Sequence, residues 1–157
     1  MMKRKFVVSD PEKCTGCRLC EMVCSAEKDG EFNPLLSRIR TVQLDVVVNM
    51  STACRLCENP TCVRSCPRKA LSVDEKTGVI LVDEGRCNGC SWCVEACELG
   101  VLSLHPVKKV VMLCDLCGGE PKCVEFCPKD ALELRTTEEI AQKIRSEAVR
   151  KLLIEEL

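Results

Sequence analysis

The sequence predicts an α+β chain of short antiparallel β-hairpins with an amphipathic helix at its C-terminal end. Three observations predict it. Sixteen of the 157 residues are Cys, and they fall into four runs of four. Each run is followed by a strand-length apolar stretch bounded by Pro, Gly or Asp, a fourfold quasi-repeat. Finally, Thr136-Thr-Glu-Glu139 has the pattern of a capping box, and Ile140, Ile144, Ala148 and Leu152 recur four apart behind it, with Ala141, Val149 and Leu153 alongside. That periodicity predicts a helix over 136–157 of about five turns. An apolar stripe of this kind ordinarily packs on its own domain, and docking on a partner subunit is the alternative.

Taken in order, Lys5 to Ser9 reads as a strand that turns at Pro11 into the first run, Cys14, Cys17, Cys20 and Cys24. Gly30 and Pro34 mark a loop. Leu36 to Val42 and Leu44 to Val48 alternate as two strands of a hairpin. The second run, Cys54, Cys57, Cys62 and Cys66, has four residues rather than two before its third thiol. Ala70 to Val73, a polar turn Asp74 to Gly78, and Val79 to Val82 then read as strand, turn, strand. The third run is Cys87, Cys90, Cys93 and Cys97. Val101 to Leu104 and Lys109 to Leu113 flank a His105-Pro106 turn. The fourth run is Cys114, Cys117, Cys123 and Cys127, and Ala131 to Leu134 closes the series as a strand.

Composition narrows the function. Net charge is −1, no basic block is present, and aromatics are confined to Phe6, Phe32, Phe126 and Trp92, so nucleic-acid binding has no support. So few large apolar side chains imply a thin core, which metal ligation can reinforce because binding energy becomes folding energy. The N-terminal apolar run ends at Ser9-Asp10-Pro11, short of the roughly 7–15 residues of a secretory h-region, and Arg4 stands alone between lysines. No stretch reaches the roughly 18 apolar residues of a membrane span. The expected location is therefore the cytoplasm, where thiols stay reduced and available to metal.

The spacing specifies the metal group. A cubane presents four corners, each needing one thiolate. Two Cys three apart reach neighbouring corners from one tight turn, and a third Cys reaches another. The fourth, four further on and entering a helix, points away to serve a neighbouring cluster, as in the bacterial iron–sulfur run. Zinc sites instead pair two C-x-x-C hooks and close at four ligands. Four runs consume all sixteen thiols in four [4Fe-4S] clusters. Gly16 and Gly89 lie in the tight loops, where backbone must approach cluster sulfur. The runs two and three, joined by a hairpin, resemble a complete two-cluster ferredoxin. That pairs Cys54, Cys57 and Cys62 with Cys97, and Cys87, Cys90 and Cys93 with Cys66. Runs one and four then pair as Cys14, Cys17 and Cys20 with Cys127, and Cys114, Cys117 and Cys123 with Cys24. Sequential pairing, one with two and three with four, is the rival.

Four runs in this order, with enlarged loops in the second and fourth, resemble the four-cluster electron-transfer subunits of pterin-dependent molybdenum and tungsten oxidoreductases, whose relatives serve hydrogenases and carbon monoxide dehydrogenase. The resemblance covers Cys14 to Pro128. It implies the nested pairing, and hence an inner ferredoxin-like unit over 54–97 and an outer one formed by 1–53 with 98–135. The compact loop from Cys117 to Cys123 looks like the small subunits of tungsten aldehyde oxidoreductases, or the hydrogenase- and carbon monoxide dehydrogenase-linked members, more than the nitrate and dimethyl sulfoxide reductase subunits. Runs one and three depart from the pattern, with Ser25 and Glu98 where Pro67 and Pro128 follow the other two.

The leading expectation is thus a non-catalytic subunit conducting electrons between a catalytic pterin subunit and a soluble ferredoxin or further subunit. A free-standing polyferredoxin is the alternative. An enzyme has little support: Gly118-Gly119 is not followed by a phosphate-binding Lys, and His105, the single His, reads as a surface turn residue. Trp92 is expected to shield a cluster. Arg18, Arg55, Arg68, Lys69 and Lys129 stand near the runs, as solvated surface or as offsets to cluster charge.

Overall fold

The computed structural model describes residues 4–45 and 47–155. Its eight strands form four separate two-stranded antiparallel pairs. β1 (Lys5–Ser9) pairs with β8 (Leu132–Thr136), Lys5 opposite Thr136 and Ser9 opposite Leu132. β2 (Ile39–Gln43) pairs with β3 (Asn49–Ala53), β4 (Leu71–Val73) with β5 (Ile80–Val82), and β6 (Ser103–Leu104) with β7 (Val111–Met112). The helices are α1 (Leu19–Asp29), three single turns α2 (Thr61–Arg64), α3 (Trp92–Glu95) and α4 (Lys122–Glu125), and the long α5 (Thr137–Glu155). None is long and apolar enough to cross a membrane among the described residues.

Helix position follows thiol position. The third Cys of each run lies in a helix: Cys20 in α1, Cys62 in α2, Cys93 in α3 and Cys123 in α4. The fourth Cys therefore leaves a helix rather than entering one in runs two to four. Only Cys24 remains inside a helix, because α1 continues to Asp29 and stops at Gly30, whose φ of 72° suits a left-handed C-cap. Aliphatic side chains and thiols share one core. Val7, Ile39, Leu56, Leu71, Ile80, Val111 and Leu132 are buried among Cys20, Cys24, Cys54, Cys62, Cys93, Cys114 and Cys123.

The first hairpin is shifted from its expected position. Pro34–Leu36 is a 3-10 turn, capped by the Asn33 side chain accepting the Leu35 N–H at 3.1 Å. Leu44, Val47 and Val48 lie at the hairpin tip and face solvent, with Val47 77% exposed. The returning strand is the more polar Asn49–Ala53, and Val46 lies outside the described residues. Apolar alternation marked the tip as a strand, whereas Asn49 and Ser51 turn inward on the thiol side and are buried.

The C-terminal helix begins at its expected cap. Glu139 accepts the Thr136 N–H at 2.7 Å and donates its own N–H to Thr136 Oγ1 at 3.2 Å, a reciprocal capping box. Packing on its own domain is not what α5 does with its stripe, however. Ile144, Val149, Leu152 and Leu153 are exposed, while α5 contacts β8 and Lys143 Nζ lies 3.2 Å from Asp10 Oδ2.

Candidate metal centres

Each Cys run bends its backbone the same way. The third position of the C-x-x-C loop has positive φ in all four: Gly16 at 71°, Leu56 at 49°, Gly89 at 68° and Leu116 at 59°. Gly is required where space is also absent. A Cβ at Gly89 would stand 2.2 Å from the Lys109 carbonyl oxygen, and one at Gly16 would stand 2.5 Å from Asn49 Oδ1. In runs two and four a buried Leu takes the strained conformation, and its side chain enters the core (Leu56 is 1% exposed). The turns wrap each loop around a common centre and direct its thiols inward.

The thiols gather into four sets. One hollow is lined by Cys14, Cys17, Cys20 and Cys127, with Thr41 and Ser51 on its wall. A second is lined by Cys66, Cys87, Cys90 and Cys93. A third, about 730 Å³, is lined by Cys54, Cys57, Cys62 and Cys97. In the fourth set, Cys24 lies close enough to Cys114, Cys117 and Cys123 to resist the ionisation of all three. Among the described residues no group of three or more His, Cys, Asp or Glu converges on a single bare ion. Thiols spaced around a hollow match a group with several metal corners, whereas one zinc ion would draw its thiolates to about 2.3 Å.

Burial favours the protonated form of the most enclosed thiols. Desolvation, reinforced by neighbouring thiols, pushes Cys54 up to about 11, Cys93 up to about 11 and Cys114 up to about 12, and raises Cys123 further. Only bound metal makes such groups thiolates, so loading expels their protons. Amides and hydroxyls stand ready to stabilise the resulting charge. Ala70 and Ala131 donate their N–H groups to Cys66 Sγ and Cys127 Sγ, each at 3.3 Å. The Arg38 N–H reaches Cys24 Sγ at 3.3 Å, and the Ser51 hydroxyl lies 3.4 Å from Cys20 Sγ.

Cations stand beside every set. Arg18 and Lys129 line the Cys14 hollow, Arg55 the Cys54 hollow and Arg68 the Cys87 hollow. Arg55 also lies 4.9 Å over the Phe6 ring, and Arg68 Nε donates to the Arg86 carbonyl at 2.7 Å. The fourth set has Lys28, whose Nζ is 2.7 Å from Asp115. Burial of Lys28 favours its neutral form, but Asp115 and the nearby Cys24 and Cys117 outweigh this and hold it charged. On this side Arg4 donates to the Cys57 carbonyl at 2.6 Å and ties β1 to run two.

Two expected roles are corrected. His105 is buried rather than a surface turn residue. Its Nδ1 accepts N–H groups from Val107 at 3.2 Å and Lys108 at 3.1 Å, closing the β6–β7 turn, and its Nε2 faces Asp29 Oδ1 at 3.4 Å. Trp92 shields no hollow: its position at the start of α3 leaves it 57% exposed. Sequence reasoning also missed Lys28, Asp29, Arg38, Thr41, Asn49, Ser51 and Asp115. The inward-facing polar residues of β3 carried a signal in their period-2 spacing (Asn49, Ser51). The others depend on contacts between residues distant in the chain.

Comparison with known proteins agrees with this chemistry. A family model described as a 4Fe-4S dicluster domain matches residues 46–137, and one described as a 4Fe-4S binding domain matches residues 6–28. The chain is 45% identical to the "Aliphatic sulfonate oxidoreductase, polyferredoxin-like subunit" of Pyrococcus furiosus, over 87% of this chain and 80% of that one. It is 33% identical to the "Thiosulfate reductase electron transfer subunit PhsB" of Salmonella typhi, over 85% of this chain and 76% of that one. It is 34% identical to the "NADH-dependent phenylglyoxylate dehydrogenase subunit beta" of Aromatoleum evansii, where it spans 32% of a longer protein. Sixteen thiols gathered in four sets and these matches lead to one conclusion: the chain belongs to the 4Fe-4S dicluster family, as an iron–sulfur electron-transfer subunit of oxidoreductase complexes without catalytic chemistry of its own.

Proposed function

We propose that this chain holds four [4Fe-4S] clusters in two nested ferredoxin-like units and conducts electrons between a tungsten- or molybdenum-pterin catalytic subunit and a soluble ferredoxin or second subunit in the cytoplasm. The inner unit is 54–97 and the outer is 1–53 with 98–135. The observation that carries this reading is the nested grouping of thiols: Cys97 with run two, Cys66 with run three, Cys127 with run one and Cys24 with run four. Bound there, a cluster supplies a one-electron acceptor and donor.

The chain's own contribution is order and environment. α1 carries Cys20 of the first set and Cys24 of the fourth, and α4 carries Cys123 of the fourth with Cys127 of the first just beyond it. Cys62 lies in α2 with Cys66 just beyond it, and Cys93 lies in α3 with Cys97 just beyond it, between the second and third sets. Cys54 lies near enough to Cys114 to oppose its ionisation, which supports the second and fourth sets as neighbours. The resulting order is the Cys14 set, the Cys114 set, the Cys54 set and the Cys87 set. Buried thiols exclude water from the path, and the rim cations offset the charge of the loaded sites.

The similarity to a polyferredoxin-like subunit of an oxidoreductase supports a partner-bound role. So does the exposed apolar stripe of α5. Cys66→Ser tests the pairing: cluster-resolved EPR should show damage to the cluster of Cys87, Cys90 and Cys93, and damage to that of Cys54, Cys57 and Cys62 would sink it. Intact-complex mass spectrometry with metal analysis tests the partner. A native assembly lacking a tungsten- or molybdenum-bearing second subunit would remove the pterin assignment.

A further inference from the structure

Three of the thiols that end a run accept a backbone N–H, and one obtains it differently. Cys66 and Cys127 receive theirs from Ala70 and Ala131, four residues on, in the tight turn after a short helix. Cys24 cannot do this. α1 continues to Asp29, so the backbone at Lys28 is helical and its N–H is committed to the helix. The donor comes instead from Arg38, fourteen residues away and outside the helix, at 3.3 Å. A donor that local geometry does not fix needs an anchor.

The structure shows one. The Arg38 guanidinium donates to Asp29 Oδ2 and, at 2.5 Å, to the Leu36 carbonyl. Asp29, the last residue of α1, presents its other oxygen to His105 Nε2 at 3.4 Å. The side chains of Asp29 and His105 are 8% and 9% exposed. Because His105 Nδ1 already accepts two backbone N–H groups, the ring presents a donor at Nε2 to the carboxylate. Burial works against the ionised Asp29, but the Arg38 hydrogen bond and charge, with His105 and Lys108 nearby, hold its carboxyl below the usual range. The β6–β7 turn, the end of α1 and the start of β2 thus meet at one buried carboxylate.

We propose that His105 and Asp29 are positioning residues for the Arg38–Cys24 hydrogen bond, and that they set the reduction potential of the cluster shared by Cys24, Cys114, Cys117 and Cys123. This rests on the ligand assignment above. An N–H donated to a ligating sulfur stabilises the more negative, reduced state, so a loosened bond lowers the potential of that cluster.

Two isosteres of His105 separate anchoring from turn closure. In His105→Asn, the Asn oxygen takes the place of Nδ1 and keeps the turn closed, but nothing reaches Asp29. In His105→Gln, the amide nitrogen takes the place of Nε2 and keeps the Asp29 contact, at the expense of the turn. EPR-monitored redox titration of the loaded full-length chain reads the result, with the component identified by Cys24→Ser and Cys123→Ser. The expected outcome is a fall in the midpoint of that component alone in His105→Asn, and little change in His105→Gln. An unmoved component in His105→Asn, an equal shift of every component, or the reverse ranking of the two variants overturns the proposal. Should either variant load incompletely, hydrogen exchange at the Arg38 amide decides: faster exchange in His105→Asn than in His105→Gln supports it, and equal rates overturn it. If Cys24→Ser and Cys123→Ser mark different components, the ligand assignment falls and this inference with it. If they mark the same one and His105→Asn leaves it in place, only this inference falls.

Discussion

The β4–β5 and β1–β8 pairs do the same work at different distances along the chain. β4–β5 joins runs two and three through a local turn, where Asp74 Oδ1 accepts N–H groups from Lys76 at 2.9 Å and Thr77 at 2.7 Å. Three residue pairs suffice for it. β1–β8 brings together the strand before run one and the strand after run four, with five residue pairs. Closing a loop of roughly 120 residues instead of roughly 6 costs about 3 kcal/mol more in chain entropy. The distant pair is correspondingly better tied: Ser9 Oγ accepts the Ser51 N–H at 3.2 Å, Lys143 meets Asp10, and Lys28 meets Asp115. One arrangement of thiols can thus be closed by a turn or by the two ends of the fold, but the second needs longer strands and extra locks.

Iron removal should have the largest effect. Cluster binding is folding energy, on the order of 10 kcal/mol for structural metal in small domains. Anaerobic chelation should strip exchange protection from both pairs, with β1–β8 opening first. β4–β5 opening first would break the comparison.

Core truncation comes next. Leu132 in β8 and Leu71 in β4 are both 4% exposed, and each change to Ala should cost about 2–5 kcal/mol. Leu132→Ala should lower loading at the Cys14 and Cys114 sets, and Leu71→Ala at the Cys54 and Cys87 sets. Quantified cluster EPR would read both, and identical losses would erase the distinction.

Alkaline pH should weaken the metal-free fold by a few kcal/mol. Unfolded Cys titrates near pH 8.5, at about its reference value. In the fold, burial holds the proton to about 11 on Cys54 and Cys93 and to about 12 on Cys114. Between those limits the native state binds more protons than the unfolded one, so stability is full below about pH 8.5 and declines as pH rises through the folded values. Urea midpoints against pH would show a decline that continues further for the outer side, which contains Cys114.

Two smaller effects sharpen the picture. Thr136→Ala should cost about 1 kcal/mol and loosen α5 without altering cluster spectra, since the capping box touches no thiol. Lys28→Gln should cost at most about 1 kcal/mol of stability, because Asp115 is 45% exposed. Even so, it should lower the midpoint of the Cys114-set cluster by removing a neighbouring positive charge. A stability loss with unmoved potentials would make Lys28 a strut only.

Much of this was legible in the chain. β1 runs over Lys5–Ser9, where alternation placed it, and the strands at Leu71–Val73, Ile80–Val82 and Leu132–Thr136 fall on their apolar stretches. The capping box formed as read. The failures share a cause. Leu44, Val47 and Val48 are apolar yet lie in an exposed tip, because inward position in β3 is decided by proximity to thiols rather than by hydrophobicity. His105 looked solvated because its partner, Asp29, is 76 residues away in sequence. The α5 stripe has the pattern of a buried face, and a pattern of apolar residues does not say what covers it.

The sequence by itself determined the thiol inventory, the close triads and the positions of the tight loops, because reaching adjacent corners of one group from one turn is local covalent geometry. Only the tertiary structure decided which amide reaches Cys24 and that His105 and Asp29 meet beside it. Those relations depend on how strands far apart in the chain pair and on which polar groups burial forces together, and no spacing rule encodes them.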